Sequence, residues 1–373
     1  MNDVMGMIYT GEGDSRLREL TLTRAIAALP VLSRYRVIDF LVSSFVNSGV
    51  HNVGVVMQRN YHSLMDHLGS GKEWDLHSKN NGLFILPPFL TRENVGIYSG
   101  VLDALRSNTS YLARSKQEYV ILSDSTILFN MNFEPMLKAH IDSGAEITCL
   151  YTKDPSMLRS EYGSYLNIDD KGYITDMEVE PTKPGYKNVY MRVMLLKREL
   201  LRKLVDDAVA HGFHDMDRDV IQRLIKKDGI RVFTHEYKGH CWHIDSVQSY
   251  FQLSMAMLDE KVRREVFSPD LPVYTKVRDE MPASYGEGAQ CINSLVADGC
   301  VIEGKVENSI LFRGVRIAPD TYVKNCIIMQ DGHVHSGAHI ENCILDKQAV
   351  IKRNAKLIGP DSYPIVIAKN VVI

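Results

Sequence analysis

Over residues 1–260, short apolar runs alternate with stretches whose apolar residues recur three and four positions apart. The runs "VMGMIY", "HNVGVVMQ", "YVILSDSTILF", "EITCLYT", "YMRVMLL" and "IRVFTHE" have strand length and predict strands. Between them, "YRVIDFLVSSFVNSG", "GVLDALRSNTSYLARS", "EPMLKAHIDSG" and "RELLRKLVDDAVAHG" carry helical spacing. Gly49 and Gly144 stand where two of these helices should stop. Alternation of this kind predicts an α/β domain on a mostly parallel sheet, with helices on both faces. Ligands of such sheets bind beyond the carboxyl ends of the strands. The first strand runs directly into "GEGDSRLRELTLTRAIAALP", residues 11–30.

After residue 260 the pattern changes. A long helix is expected over 246–267, then a Pro-bearing linker over 268–290. Beyond it, aliphatic positions recur about every six residues, as in Leu295 and Val301, Ile317 and Val323, Val334 and Ile340. Asn followed by Ser or Cys and then an aliphatic returns at Asn293, Asn308, Asn325 and Asn342, in steps of 15, 17 and 17. A hexapeptide rhythm of this kind predicts a parallel β-helix with three short strands to a coil. The expected domains are 1–267, an α/β domain ending in the long helix, and 291–373, the β-helix.

Composition narrows the class. A net charge of −3, from 43 basic and 46 acidic residues, leaves no basic footprint for nucleic acid or an anionic membrane surface. No apolar run approaches the roughly 20 residues needed to span a bilayer, and no export signal is visible, so a cytoplasmic protein is expected. Six cysteines lie apart, several in apolar strand-like contexts, which predicts reduced and buried thiols.

The loop after the first strand poses a chemical conflict. A strand, a Gly-bearing turn and a helix start present free backbone N–H groups that suit phosphate. Glu12 and Asp14 place two carboxylates in that turn, where they repel a polyphosphate.

Five segments in order carry a resemblance. "SRLRELTLTRAIAALP" is similar to G-T-R-L-x-x-L-T-x-x-R-A-K-P-A-V-P, and "RYRVIDFLVSSFVNSGV" to K-Y-R-I-I-D-F-x-L-S-N-x-x-N-S-G-I. "YSGVLDAL" resembles Y-R-G-T-A-D-A, "DMDRDVI" resembles D-F-G-K-D-I-I, and "GHCWHIDSVQSYF" resembles G-Y-W-R-D-V-G-T-L-x-S-Y. Together with the two halves they resemble glucose-1-phosphate adenylyltransferase, also called ADP-glucose pyrophosphorylase. That family implies a Rossmann-like nucleotidyltransferase domain followed by a left-handed β-helix, and formation of ADP-glucose and pyrophosphate from ATP and glucose 1-phosphate.

The departures from the family pattern are concentrated on charge. Against G-G-x-G-x-R, two glycine positions hold Glu12 and Asp14. The resemblance puts Ile26 at a lysine near the pyrophosphate, Thr126 at a metal-binding aspartate, and Glu180 near a lysine that contacts the sugar phosphate. Phosphoryl and nucleotidyl transfer depend on positioning and on stabilising negative oxygens, so joint loss of such groups predicts little catalysis. What remains is Gly11, Arg16, Arg24, Tyr98, Gly100 and Asp103 as nucleotide or phosphate contacts, with Asp124 and Asp219 as residual catalytic carboxylates. Two of these have structural readings as well: Asp103 as the support of the loop at Gly100, and Asp219 as the N-cap of the helix that follows it.

The pattern resembles the regulatory, non-catalytic or weakly catalytic GlgD-type subunit of bacterial glycogen synthesis. It implies a hetero-oligomer, a tetramer, with a catalytic homologue, and a possible sugar-phosphate or nucleotide ligand. Arg36, Arg313 and Arg316 are the effector-binding candidates, and the family's late-coil arginine corresponds to Ser336. The competing expectation is a competent enzyme with a remodelled site, using Asp124 and Asp219 with Mg²⁺. A third is a scaffold or acyltransferase-like protein in which the β-helix does the work.

Overall fold

Strand β1 (Val4–Tyr9) is buried along its whole length, as a strand with parallel neighbours on both sides must be. Those neighbours are β2 (Val53–Val56) and, on the other side, β4 (Tyr119–Asp124); β3 (Leu83–Leu86) extends the parallel set beyond β2. The remaining strands are β5 (Ile147–Thr152), β6 (Ser164–Ile168), β7 (Ile174–Val179), β8 (Asn188–Lys197) and β9 (Val232–Tyr237). The computed structural model describes residues 1–11, 14–79, 81–88, 98–159, 162–226 and 230–373. Among these, the sheet has nine strands in the order β7-β6-β8-β4-β1-β2-β3, with β5 also on β8 and β9 on β5. It is mixed rather than mostly parallel, because β8 runs antiparallel to β4, β5 and β6.

The chain divides into two compact units, and they divide it differently from the sequence boundaries. The first comprises residues 1–12, 40–243 and 269–274; the second takes 13–39, 244–268 and 275–373. In the first unit, Met5, Met7, Leu122 and Met194 of the sheet pack with Leu105 and Val205 from the helices Val101–Ser107 and Arg198–Ala210. Residues 269–274 are held there although no regular element contains them. Asn130 donates to the Leu271 carbonyl and Asn47 to that of Pro272, which satisfies backbone that would otherwise be a linker.

The second unit contains three five-stranded parallel sheets, one per face of the predicted β-helix. Its first strand, Ser284–Tyr285, precedes the expected start at 291 and pairs with Val301–Ile302. The recurrent asparagines turn corners: Asn293, Asn308, Asn325 and Asn342 have φ of 43°, 45°, 49° and 51°. Asn and Gly tolerate this left-handed backbone best, which explains why the motif returns. The corner amides also bond in pairs, Asn293 to Asn308 at 2.8 Å and Asn325 to Asn342 at 3.1 Å. Inside, Ile302, Val306, Leu311, Ile317 and Val323 stack as an apolar core.

The single helix expected over 246–267 is two, Val247–Ala256 and Glu260–Val266. Asp259 starts the second by accepting from the Lys261 N–H, a local alternative to continuing the first. Ser246 and Ser249 close the start of the first reciprocally. Of the six thiols, Cys291 is exposed and the other five are buried. Among the described residues no helix is long and apolar enough to cross a membrane.

Candidate functional site

In the first unit the chain leaves β1 towards β2 on one side and reaches β4 on the other, so the carboxyl ends of β1 and β4 form a topological switch point. This is where open α/β sheets take ligands. Tyr9 and Asp124, the last residues of these strands, are paired in register. A cavity of about 40 Å³ opens beside them, lined by Tyr9, Ser123, Asp124, Tyr190, Arg192 and Asp217 among others.

Arg192 is one of its lining residues. Its Nη1 lies 3.4 Å from Asp124 Oδ2, its Nε 3.6 Å from Asp217 Oδ2 and its Nη2 3.8 Å from Glu180 Oε1. Nη2 also donates to the Tyr162 carbonyl at 3.3 Å. Burial pushes the Asp217 carboxyl up to about 6, against the pull of Arg192, and Ser164 donates to it at 2.8 Å. Glu180 faces a second cation, with Oε2 3.8 Å from Arg218 Nη2.

The residues predicted for metal chemistry do not assemble. Asp124 Oδ1 accepts the Thr126 N–H at 2.9 Å, and Oδ2 accepts the Thr126 hydroxyl at 3.0 Å as well as facing Arg192. Thr126, expected at a metal ligand, therefore serves Asp124 instead. Asp219 is turned to its own loop, where Oδ2 accepts the N–H groups of His214 and Asp215, each at 3.0 Å. It is not an N-cap: the helical turn begins earlier, at Met216, and Asp215 caps it by accepting from Arg218 N–H. Asp219 lines a different cavity, with Leu204, His211 and Arg223. Among the described residues no three acidic, His or Cys side chains are placed to hold a metal ion. A Mg²⁺ ion shared by Asp124 and Asp219 does not fit this donor set.

The phosphate-contact candidates fall in both units. Gly11 packs against Tyr9 and Gln58; a Cβ there would lie 2.3 Å from Gln58 Oε1. Glu12, Gly13 and the side chain of Asp14 lie outside the described residues. Gly100 is required by close approach, since a Cβ would come within 2.3 Å of the His214 carbonyl oxygen. Asp103 accepts the Ser99 N–H at 3.1 Å, and Gln58 donates to the carbonyl of buried Tyr98.

Arg16, Arg24 and Ile26 belong to the second unit. Arg16 is half-buried on the turn Asp14–Thr21, and Ile26 is fully buried. Arg24 is committed to a carboxylate of the β-helix: Nη1 lies 2.8 Å from Asp346 Oδ1 and Nη2 2.9 Å from Oδ2, both side chains almost wholly buried.

Next to Asp346 stands Lys347, a residue the sequence reading passed over. Burial, with Arg36 and Arg24 beside it, pulls its amine down to about 7, and Arg278 acts in the same sense. Among the effector candidates, Arg36 thus joins this cationic group. Arg313 lies where burial, Arg34 and Arg278 lower its own affinity for a proton. Arg316 is apart from both, exposed on the β-helix and paired in register with His333. Ser336 is exposed.

Comparison with known proteins agrees with this architecture. Residues 5–260 match the nucleotidyl transferase family, and residues 280–363 the GlmU-like C-terminal hexapeptide family, whose rhythm is that of the left-handed β-helix. The chain is 34% identical to the glycogen biosynthesis protein GlgD of Bacillus subtilis, over 100% of its own length and 97% of that protein. It is 35% identical to the glucose-1-phosphate adenylyltransferase of Thermomicrobium roseum, over 98% of this chain and 86% of the other. With the glucose-1-phosphate adenylyltransferase of Clostridium botulinum (strain Alaska E43) it shares 31% over 99% and 96%.

Proposed function

The chain belongs to the glucose-1-phosphate adenylyltransferase family of nucleotidyl transferases, and on that premise we propose that it is a regulatory or structural subunit of glycogen biosynthesis. It assembles with a catalytic homologue into a hetero-oligomer, a tetramer, that makes ADP-glucose and pyrophosphate from ATP and glucose 1-phosphate. Alone it has little activity. The observation that supports this most is the state of Asp124 and Asp219: one is spent on Thr126 and Arg192, the other on backbone N–H groups of its own loop. Nucleotidyl transfer needs cationic groups aimed at phosphate oxygens, and among the described residues Arg192, at this switch point, is aimed at carboxylates. On this reading the divalent cation of the reaction belongs to the catalytic subunit.

The regulatory half of the proposal is supported by the second unit. Arg36, Arg24 and Arg278 act with burial to loosen the proton of the half-buried Lys347 against the pull of Asp346, so a dianion such as a sugar phosphate relieves repulsion there. The test is a mixing experiment. A catalytic homologue is assayed for ADP-glucose synthesis with and without this chain, over a series of sugar phosphates. The proposal expects a complex by light scattering and a several-fold change in the concentration of sugar phosphate that gives half-activation. No complex, together with unchanged kinetics, contradicts it.

A further inference from the structure

Helix Val247–Ala256 and the asparagine corners of the β-helix both belong to the second unit, and a groove of about 850 Å³ opens between them. Its size is that of a site for a small molecule. One wall is apolar: Phe251 and Met255, four residues apart on one face of the helix, with Leu258 just beyond its end. Phe251 and Met255 are only partly buried. The other wall is the row Asn293, Asn308, Asn325 and Asn342. Successive members lie one coil apart, because the residues before them, Ile292, Glu307, Lys324 and Glu341, pair in register. Neighbouring amides therefore stand about 4.8 Å apart, the strand spacing of a sheet.

The row is not closed on itself. Asn293 donates to Asn308 and Asn325 to Asn342, but among the described residues no hydrogen bond joins Asn308 to Asn325. The Asn308 N–H groups and the Asn325 Oδ1 are left for the groove, a donor and an acceptor on adjacent coils. A hydroxyl, which donates and accepts, answers both. The charges in the lining are Lys324, Asp259 and Asp361, an acidic excess that disfavours a phosphate. We propose that the groove binds a neutral oligosaccharide, whose hydroxyls bridge Asn308 and Asn325 and whose apolar ring face lies on Phe251. Pyranose rings carry both surfaces, hydroxyls at the rim and C–H groups on the faces. The site goes beyond the subunit reading and does not depend on it; that reading supplies only the probe, an α-1,4-linked glucose oligomer.

The experiment is calorimetric titration of the full chain with maltoheptaose. The parent is expected to bind it with a Kd on the order of 1 mM or tighter. Phe251→Ala removes the ring of the apolar wall, and Asn308→Gly removes the unspent donor; glycine is at ease at the φ of +45° found there. Each is expected to weaken binding at least about tenfold. Phe251→Leu, which keeps apolar bulk without a ring, covers the case in which the alanine variant does not fold. It is expected to lose affinity in the same direction. Inorganic phosphate at about 10 mM should leave the parent's affinity unchanged. No binding by the parent at about 10 mM maltoheptaose overturns the proposal. So does binding that the folded variants retain in full, or that phosphate displaces. Turnover of ATP and glucose 1-phosphate by the chain alone would refute the subunit reading and leave this result standing.

Discussion

Two charged centres, one in each unit, use the same residue types to opposite ends. At the switch point of the first unit, carboxylates outnumber the guanidinium that they surround, and Arg192 is consumed internally. In the second unit Asp346 is bound to Arg24, and burial together with Arg36 and Arg24 loosens the Lys347 proton towards about 7. An acidic centre closed by its own cation has no use for a phosphate. On the proposed reading the basic centre does. On the proposed reading the comparison separates two properties that a transferase needs together: reaction at the sheet, and recognition of an anion in the second unit.

The difference can be broken by removing the cation from each centre. Arg24→Met leaves Asp346 buried and unpaired, so it should cost about 3–5 kcal/mol, read by urea unfolding. Arg192→Gly should cost less than about 2 kcal/mol, because a glycine at φ +51° returns part of the lost pairing as relieved strain. Equal costs at the two sites would show that Arg192 is an ordinary buried ion pair rather than a strained one.

A smaller effect comes from pH at the acidic centre. The folded value of Asp217 lies above that of an ordinary carboxyl, so the folded protein favours its protonated form. The stability this gives is complete below about pH 4 and is lost as pH rises through 6. Asp217→Asn mimics the protonated form at every pH. Its melting temperature should match the parent's near pH 4 and exceed it at pH 7–8, by an amount on the order of 2–3 kcal/mol in stability. A variant less stable than the parent at pH 8 would mean that the ion pair with Arg192 outweighs burial.

The smallest effect sharpens the basic centre. The folded value of Lys347 lies below the ordinary lysine value, so the neutral amine is favoured; that stability is present above about pH 10 and is lost as pH falls through 7. A bound anion restores the proton. Calorimetry of inorganic phosphate binding at pH 8, in two buffers of different ionisation enthalpy, should show proton uptake. Lys347→Met should abolish the uptake and weaken binding about tenfold, or ~1.4 kcal/mol. Uptake that persists in Lys347→Met assigns the proton to another group.

What the sequence disclosed follows from what is local. Apolar runs located β1, β2, β4, β5, β8 and β9, and the asparagine corners announced the β-helix, because each signal is contained in a few adjacent residues. The break at Leu258 was missed since Asp259 stops the helix through a side-chain bond that apolar spacing does not record. The antiparallel course of β8 depends on partners rather than on its own residues.

The charged centres were least legible. Asp124, Glu180 and Asp217 meet only through the sheet and its flanking turns, and no spacing joins them. One signal was present all the same: Arg192 interrupts a strand whose other residues from Val189 to Leu196 are buried. A lone arginine in such a run is costly unless carboxylates wait for it. Lys347 carried a comparable mark in following Asp346 within an apolar coil, "CILDKQAVI". Thr126 and Asp219 were placed by resemblance to a metal site, and their hydrogen bonds direct them elsewhere.

The central claim is that the first unit's switch point no longer transfers nucleotide, and turnover by the purified chain alone tests it most directly. ADP-glucose formation is measured at saturating ATP, glucose 1-phosphate and Mg²⁺, with a catalytic homologue as reference. The account predicts a rate at least a thousandfold below the ordinary enzyme value of about 10 s⁻¹, and no gain on adding sugar phosphates. Turnover by the chain alone near that ordinary value would contradict it.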